Sequence, residues 1–435
     1  MTTSERATAA RAADDEPAAE PGLGRNSLAL AVSALITGVL GLIYWALIGR
    51  TYPAREVGAA AAVITTATML SAFGNLSFGA LFERFIPIAG ERLPILVRTG
   101  FGVGAVVGGL LAVGFVFIGP TDEMFDGALD RALFPVVVVA FSVFALLDHT
   151  AVGLRQATWA AQKNVAHAVI KSVMVIALAF TASRQAIVWT WVAPSVLLAL
   201  VLAVVVMRRI RSRPAVIGPE VLPGRRELGT YLAGTYVLYV VGSLAPLMLP
   251  LIVVSELGAE LNAYFAIAWS LVTAVVVLLT MLMGPYIAAA AADPAGAYVL
   301  TLRFIAIIGA VGLAGAAFLG IAGPTLLSLV GEGYRDFGGP VLQLAAVGLA
   351  LALVGFAYSA VSRLRRRLRF AVAAQCVNAA LMLGLGILWV DSDGLEGLGR
   401  AFVTAELVTA TLVFVPLILA LSSLRGTVTV GRHRR

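Results

Sequence analysis

The sequence predicts an all-α polytopic membrane protein of about twelve transmembrane helices, arranged as two six-helix lobes. Three observations lead there. Apolar runs of about 18 residues or more recur along the 435-residue chain with short polar breaks, the pattern of membrane-spanning helices. Only 13% of the residues are charged and 60% are hydrophobic, whereas water-soluble domains are roughly one-quarter charged. The apolar runs are too long for strands and lack the alternation of membrane barrels.

Taken in order, residues 1–25 are rich in Ala, Pro and acidic groups and are expected to form a disordered cytoplasmic tail. No cleavable signal peptide is expected there, so the first span would act as its own insertion signal. The spans then read as 28–50, 57–80, 94–118, 132–153, 165–183 and 188–207, forming a first lobe over 26–207. A Pro-, Gly- and Arg-containing segment, 208–228, suits a basic cytoplasmic linker. A second lobe over 229–421 holds 229–254, 263–290, 299–323, 339–360, 371–390 and 397–420, and 422–435 is a basic cytoplasmic tail.

Charge sets the orientation. The 31 basic residues are 29 Arg plus Lys163 and Lys171. Most cluster in alternate connections: Arg84 and Arg92, Arg155 and Lys163, the run from Arg208 to Arg226, and the run from Arg363 to Arg369. The other connections are acidic, with Asp122, Glu123, Asp126, Asp130, Glu256, Glu260, Asp391, Asp393 and Glu396. By the positive-inside rule both termini are expected to be cytoplasmic. The basic balance is thereby assigned to membrane orientation, and nucleic acid is not an expected partner.

The halves look related. "VRTGFGVGAV" (97–106) aligns with "LRFIAIIGAV" (302–311), pairing Arg98 with Arg303. "GPT" at 119 recurs at 323, and Pro135-Val136 recurs as Pro340-Val341. With an even number of spans in each half, the copies share orientation, giving a parallel pseudo-twofold repeat about an axis along the membrane normal.

Enzyme signatures are missing: there is no Walker A loop, no H-E-x-x-H, no G-x-S-x-G and no strand-anchored G-x-G-x-x-G. "GFGVGAVVGG" (100–109) lies in an apolar span, where small residues allow close helix packing. No catalytic residue, metal site or cofactor is expected. Cys376 stands alone in an apolar run and is expected as a small core residue.

The informative residues are ionisable groups within or beside spans, because these are costly in lipid and face a cavity or a partner. Lys171 lies about two turns into the fifth span, and either snorkels to the headgroups or points into a central cavity. Arg98 and Arg303 lie about one turn inside the inner face, where snorkelling and a symmetric cationic lining are both open. Glu406 is deep in the last span, and is neutral when buried, paired with a base such as Arg400, or an ion-coupling site. Asn75 and Gln375 suit helix–helix hydrogen bonds. Asp148 and His149 adjoin near the inner end of the fourth span. Successive helical residues diverge by about 100°, which argues against a dyad, so Asp148 is expected to pair locally with Arg155 or Lys163.

Several segments resemble one family. The run 45–90, with Tyr52-Pro53, Glu56-Val57-Gly58, Arg84-Phe85 and Pro87, resembles the opening of bacterial polysaccharide-biosynthesis flippases of the multidrug/oligosaccharidyl-lipid/polysaccharide superfamily. "LLDHTAVGLRQATWAAQKN" (146–164) resembles that family's turn after the fourth span. "LLSLVGEGYRDFGGPVLQLAAVG" (326–348) and "SRLRRRLRF" (362–370) resemble its outer segment and basic inner turn. The resemblance implies a MATE-like V of two lobes, open alternately to each side of a bacterial cytoplasmic membrane. It implies an undecaprenyl-diphosphate-linked oligosaccharide as cargo, with polysaccharide polymerase and glycosyltransferases as partners beside the membrane lipids. Arg98, Lys171, Arg303, Arg155 and Lys163 are then candidates to meet the diphosphate, since Arg offers phosphate several donors in one plane. Glu406, Asp148, His149 and Arg400 are candidates for ion coupling or gating.

Two other readings compete. A multidrug or cation antiporter of the same superfamily resembles this chain, but many such proteins carry an acidic residue in the first span, and 28–50 has none. A membrane glycosyltransferase using lipid-linked sugar would need acids such as those of "TDEMFD" (121–126) or "DSD" (391–393).

Overall fold

The computed structural model describes residues 21–212, 223–365 and 367–432. Most of the expected tail, the centre of the expected linker and the terminal arginines lie outside the described residues. The described chain is helical, without strands.

The first half contains α1 (Pro21–Thr51), α2 (Ala54–Gly74), the short α3 (Phe78–Phe85), α4 (Leu93–Ile118), α5 (Ala128–Gly153), α6 (Ala157–Ala177) and α7 (Arg184–Arg211). The second half opens with a 68-residue helix, Arg225–Ala292, which breaks at Gly258 into α8 (225–257) and α9 (259–292). Then come α10 (Ala297–Ser328), α11 (Glu332–Leu364) and the helix Arg369–Arg432, which breaks at Gly394 into α12 (369–393) and α13 (395–432). Among the described residues nine helices are long and apolar enough to cross a membrane, and two of these are the broken ones. With α6, long enough but interrupted by Lys163, His167 and Lys171, the expected twelve crossings are accounted for.

Two expected connections are shorter than anticipated. The loops at 255–262 and 391–396 are reduced to one kinked residue each, Gly258 (φ 85°, ψ 173°) and Gly394 (φ 56°, ψ −137°). Only glycine adopts such angles without steric cost, so one residue reverses the chain where several were expected. The second expected span, 57–80, ends early at Gly74. Leu76 and Ser77 are left-handed (φ 46° and 60°), and the Asn75 side chain is drawn across to α5, where Ser142 Oγ donates to its Oδ1 at 2.5 Å. Cys376 is exposed on the outer surface of the second half rather than in the core.

Alternate connections gather at opposite ends of the bundle. One end carries Arg84, Arg208 and Arg363 and is called the basic end; the other carries Asp122, Glu123, Asp126 and Asp393 and is called the acidic end. A buried apolar core runs through both halves, from Tyr44, Val63 and Phe134 to Phe265, Leu349 and Val390. A smaller cluster at the basic end joins Phe82, Phe85, Leu147 and Val206 with Tyr231 of α8. The outward faces, such as Phe117, Ile118 and Ile321, are strongly apolar and exposed, as helices facing hydrocarbon must be.

Candidate functional site

The main cavity, about 910 Å³, is lined entirely by the second half. Its walls come from α8, α9, α11, α12 and α13, all of which present small or polar residues toward it. It runs from Trp269, Leu349 and Phe402 near mid-bundle to Thr235, Ile287 and Arg363 near the basic end. Its polar lining includes Tyr239, Tyr358, Gln375 and Asn378 beside several Ser and Thr hydroxyls. Gln375, expected as a helix–helix hydrogen bonder, is among these lining residues.

Glu406 faces this cavity from α13. Asn378 Nδ2 donates to Glu406 Oε1 at 3.0 Å and to Thr409 Oγ1 at 3.0 Å. Thr409 in turn donates to the Ala405 carbonyl at 2.7 Å. Arg400, the base expected to pair with Glu406, instead reaches Asp393 at 2.7 Å and Glu396 at 3.5 Å at the acidic end. Six residues separate 400 from 406, placing Arg400 more than one turn away along α13. Among the described residues no basic side chain lies within ion-pair distance of Glu406.

At the acidic end the two halves touch. Asn262 of α9 donates to the Gly58 carbonyl of α2 at 2.8 Å, and both are fully or nearly fully buried. A Cβ at Gly58 would overlap the Ala259 carbonyl, so the two backbones touch because this residue is glycine. Beside the seam, Arg184 sits 7% exposed and donates through Nε and Nη2 to both Glu56 oxygens at 2.9 Å each. It also reaches Asp126 at 3.1 Å and the Glu123 carbonyl at 3.2 Å. Sequence reasoning missed this cluster. Nothing local in the sequence marks Arg184 as the hub that joins Glu56 to the connection holding Glu123 and Asp126.

Of the acids weighed for sugar transfer, Asp122 pairs with Arg131 at 2.6 Å, Asp126 with Arg184, and Asp393 with Arg400. Arg184, Asp130 and Gln185 also rim a second, largely apolar cavity of about 280 Å³ between α5 and α7.

At the basic end the halves meet more lightly. Tyr231 of α8 donates to the Ala80 carbonyl at 3.4 Å, packs edge-on against Phe85 at 5.4 Å, and lies beneath the Arg84 guanidinium at 4.9 Å.

The expected diphosphate residues do not converge. Arg98 and Arg303 lie on exposed faces of α4 and α10, outside both cavities. Arg155 is exposed at the left-handed turn after α5 (φ 61°). Lys163 is 5% exposed, pairs with Asp148 at 3.0 Å and donates to the Phe144 carbonyl at 2.6 Å. Lys171 is 6% exposed inside the first half, its ammonium 3.6 Å from the Trp191 ring centre and 4.7 Å from that of Tyr44. Neither the headgroup nor the cavity position foreseen for it applies. Asp148 and His149 diverge: Asp148 turns to Lys163 and Asn164 on α6, and His149 Nδ1 meets Glu83 of α3 at 2.7 Å.

No family model and no curated protein matches the sequence. Solved structures do resemble the fold. An inward-facing multidrug resistance MATE family transporter of the MOP superfamily superposes with a TM-score of 0.69 at 14% identity, over 92% of this chain and 99% of that one. The lipid II flippase MurJ, in an inward closed conformation, superposes with a TM-score of 0.66 at 10% identity, over 92% and 90%. A MATE structure in a bent conformation gives 0.59 at 14% identity, over 93% and 97%. This chain therefore has the all-helical, two-lobed fold seen in MATE transporters and in MurJ.

Proposed function

We propose that this protein is an alternating-access transporter that flips undecaprenyl-diphosphate-linked oligosaccharides from the inner to the outer leaflet, serving cell-surface polysaccharide assembly. One observation carries the transport reading: the cavity reaches the basic end while the acidic end is sealed by contact between α2 and α9. Under the positive-inside orientation the basic end is cytoplasmic, so this is a state that loads from inside a bacterial cytoplasmic membrane.

The cavity supports the glycan reading through its lining. Trp269, Tyr239 and Tyr358 offer flat apolar faces, and Gln375 and Asn378 offer amides, the mixture that suits sugar rings. Arg363, at the cavity's basic mouth, is better placed for a diphosphate than the arginines foreseen from sequence. The resemblance over 45–90 and 146–164, and the absence of an acid from 28–50, favour the same cargo.

A multidrug or cation antiporter is the second reading, favoured by Glu406, an acid facing a large cavity without a basic partner. Reconstitution separates the two. Vesicles holding the protein and a fluorescent undecaprenyl-diphosphate sugar are expected to show label exchange between leaflets above protein-free vesicles. Efflux of cationic dyes with no movement of the labelled lipid would replace the flippase reading by the antiporter.

A further inference from the structure

The chain meets its need for positive charge almost wholly with arginine. Of 31 basic residues only Lys163 and Lys171 are lysines, and both lie on one helix. They are eight residues apart with His167 midway, so the i, i+4, i+8 spacing sets all three on one face of α6. That face is buried: Lys163, His167 and Lys171 are 5%, 7% and 6% exposed. Arginine keeps its proton in any protein environment, whereas lysine and histidine can release theirs. Both lysines and one of the three histidines thus lie along about 12 Å of one buried helix face.

The three are compensated unequally. Lys163, nearest the basic end, has a carboxylate, Asp148 at 3.0 Å, and a carbonyl, Phe144 at 2.6 Å. His167 Nε2 lies 3.2 Å from the Trp191 carbonyl and 3.0 Å from Ser195 Oγ. A carbonyl only accepts, so Nε2 donates to it and Nδ1 is the nitrogen able to bind a further proton. Lys171, deepest of the three, has only the rings of Trp191 and Tyr44. Cation–π contact compensates a buried ammonium only in part. The titratable groups facing this strip are Tyr44 of α1, Tyr52 just beyond its end and Asp148 of α5; α7 presents Trp191, Thr190 and Ser195.

We propose that Lys171 is a proton-binding site of this protein, reached from the basic end past the Lys163–Asp148 pair and His167. The amine takes up a proton arriving along that strip and becomes the ammonium held between Trp191 and Tyr44; on release the proton leaves and the amine remains. Cargo and proton then occupy different halves: the cavity lies in the second, and Lys171 is in the first. Coupling of this proton to substrate movement rests on the transport reading above, but proton binding does not.

The sequence makes the test direct. Full-length protein labelled with ε-carbon-13 lysine in lipid nanodiscs yields only two side-chain signals, assigned by Lys163→Arg and Lys171→Arg. One signal is expected to move reversibly as pH is varied, to vanish in Lys171→Arg, and to shift its midpoint in Trp191→Phe. Two stationary signals, or a moving one that belongs to Lys163, would overturn the proposal. Should Lys171→Arg fail to fold, Lys163→Arg makes the assignment alone. If the Lys171 signal titrates but labelled lipid does not flip, the flippase reading fails and the proton site stands. If lipid flips under a pH gradient while that signal is stationary, the reverse holds.

Discussion

The side-chain amide of Asn262 donates to the backbone carbonyl of Gly58 across 204 residues of sequence, at 2.8 Å, where the halves meet. This bond and the bare Cα of Gly58 let α2 and α9 touch at the acidic end. Replacing Gly58 by Leu cannot be accommodated without parting the two backbones. In a Cys376→Ser background, an Ala263→Cys thiol, buried in this seam, is expected to react with a membrane-impermeant maleimide several-fold faster once Gly58→Leu is added. Equal rates would show that the seam is not the closure.

Asn262→Ala is milder. It leaves a buried carbonyl without its donor, which costs about 1–3 kcal/mol. The melting temperature of the purified protein in detergent is expected to fall, with less effect than Gly58→Leu on thiol reactivity.

Arg184 holds Glu56 and Asp126 from different segments, so its removal strands acids rather than freeing one contact. Because Glu56 and Asp126 keep partial access to water, the expected loss for Arg184→Ala is about 2 kcal/mol, below that of a fully buried pair. Arg184→Ala with Glu56→Gln should recover part of it. A double mutant no more stable than the single would show that the pairing is not what stabilises this end.

Glu406→Gln retains an oxygen for Asn378 and removes the group's capacity to ionise. The fold is expected to keep its melting temperature, since a buried carboxylate without a basic partner contributes little to stability. Substrate movement driven by an imposed ion gradient should drop at least tenfold if Glu406 carries the coupling charge, and stay unchanged if the cavity only binds.

Gly258 and Gly394 test the kinks. A Cβ at either meets no atom within 4 Å, so Gly258→Ala and Gly394→Ala change backbone strain alone. Each is expected to cost about 1–3 kcal/mol, read as a lowered melting temperature. An unchanged value would mean that the reversal does not need glycine.

Much of the fold was legible because membrane insertion is written in local composition. The apolar runs and their Arg-rich and acidic connections depend on neighbours in sequence. The Asp148–His149 divergence followed from helical geometry alone, and the structure sends the two side chains to Lys163 and Glu83. The candidate site was far less legible. Arg98 and Arg303 were singled out for depth and symmetry, but the rotation of each helix about its axis decides whether a side chain meets lipid or cavity. That rotation is set by packing against other helices, which no local pattern encodes.

What the sequence by itself determined is the all-helical, membrane-spanning fold and the divergence of Asp148 from His149, because hydropathy and the 3.6-residue period are local properties. Only the tertiary structure decided that Arg184 joins Glu56 and Asp126, that Asn262 reaches Gly58, and that Glu406 rather than the foreseen arginines faces the cavity. Those contacts join segments from about 60 to more than 200 residues apart, and they exist because buried polar groups must find partners wherever the packed helices bring them.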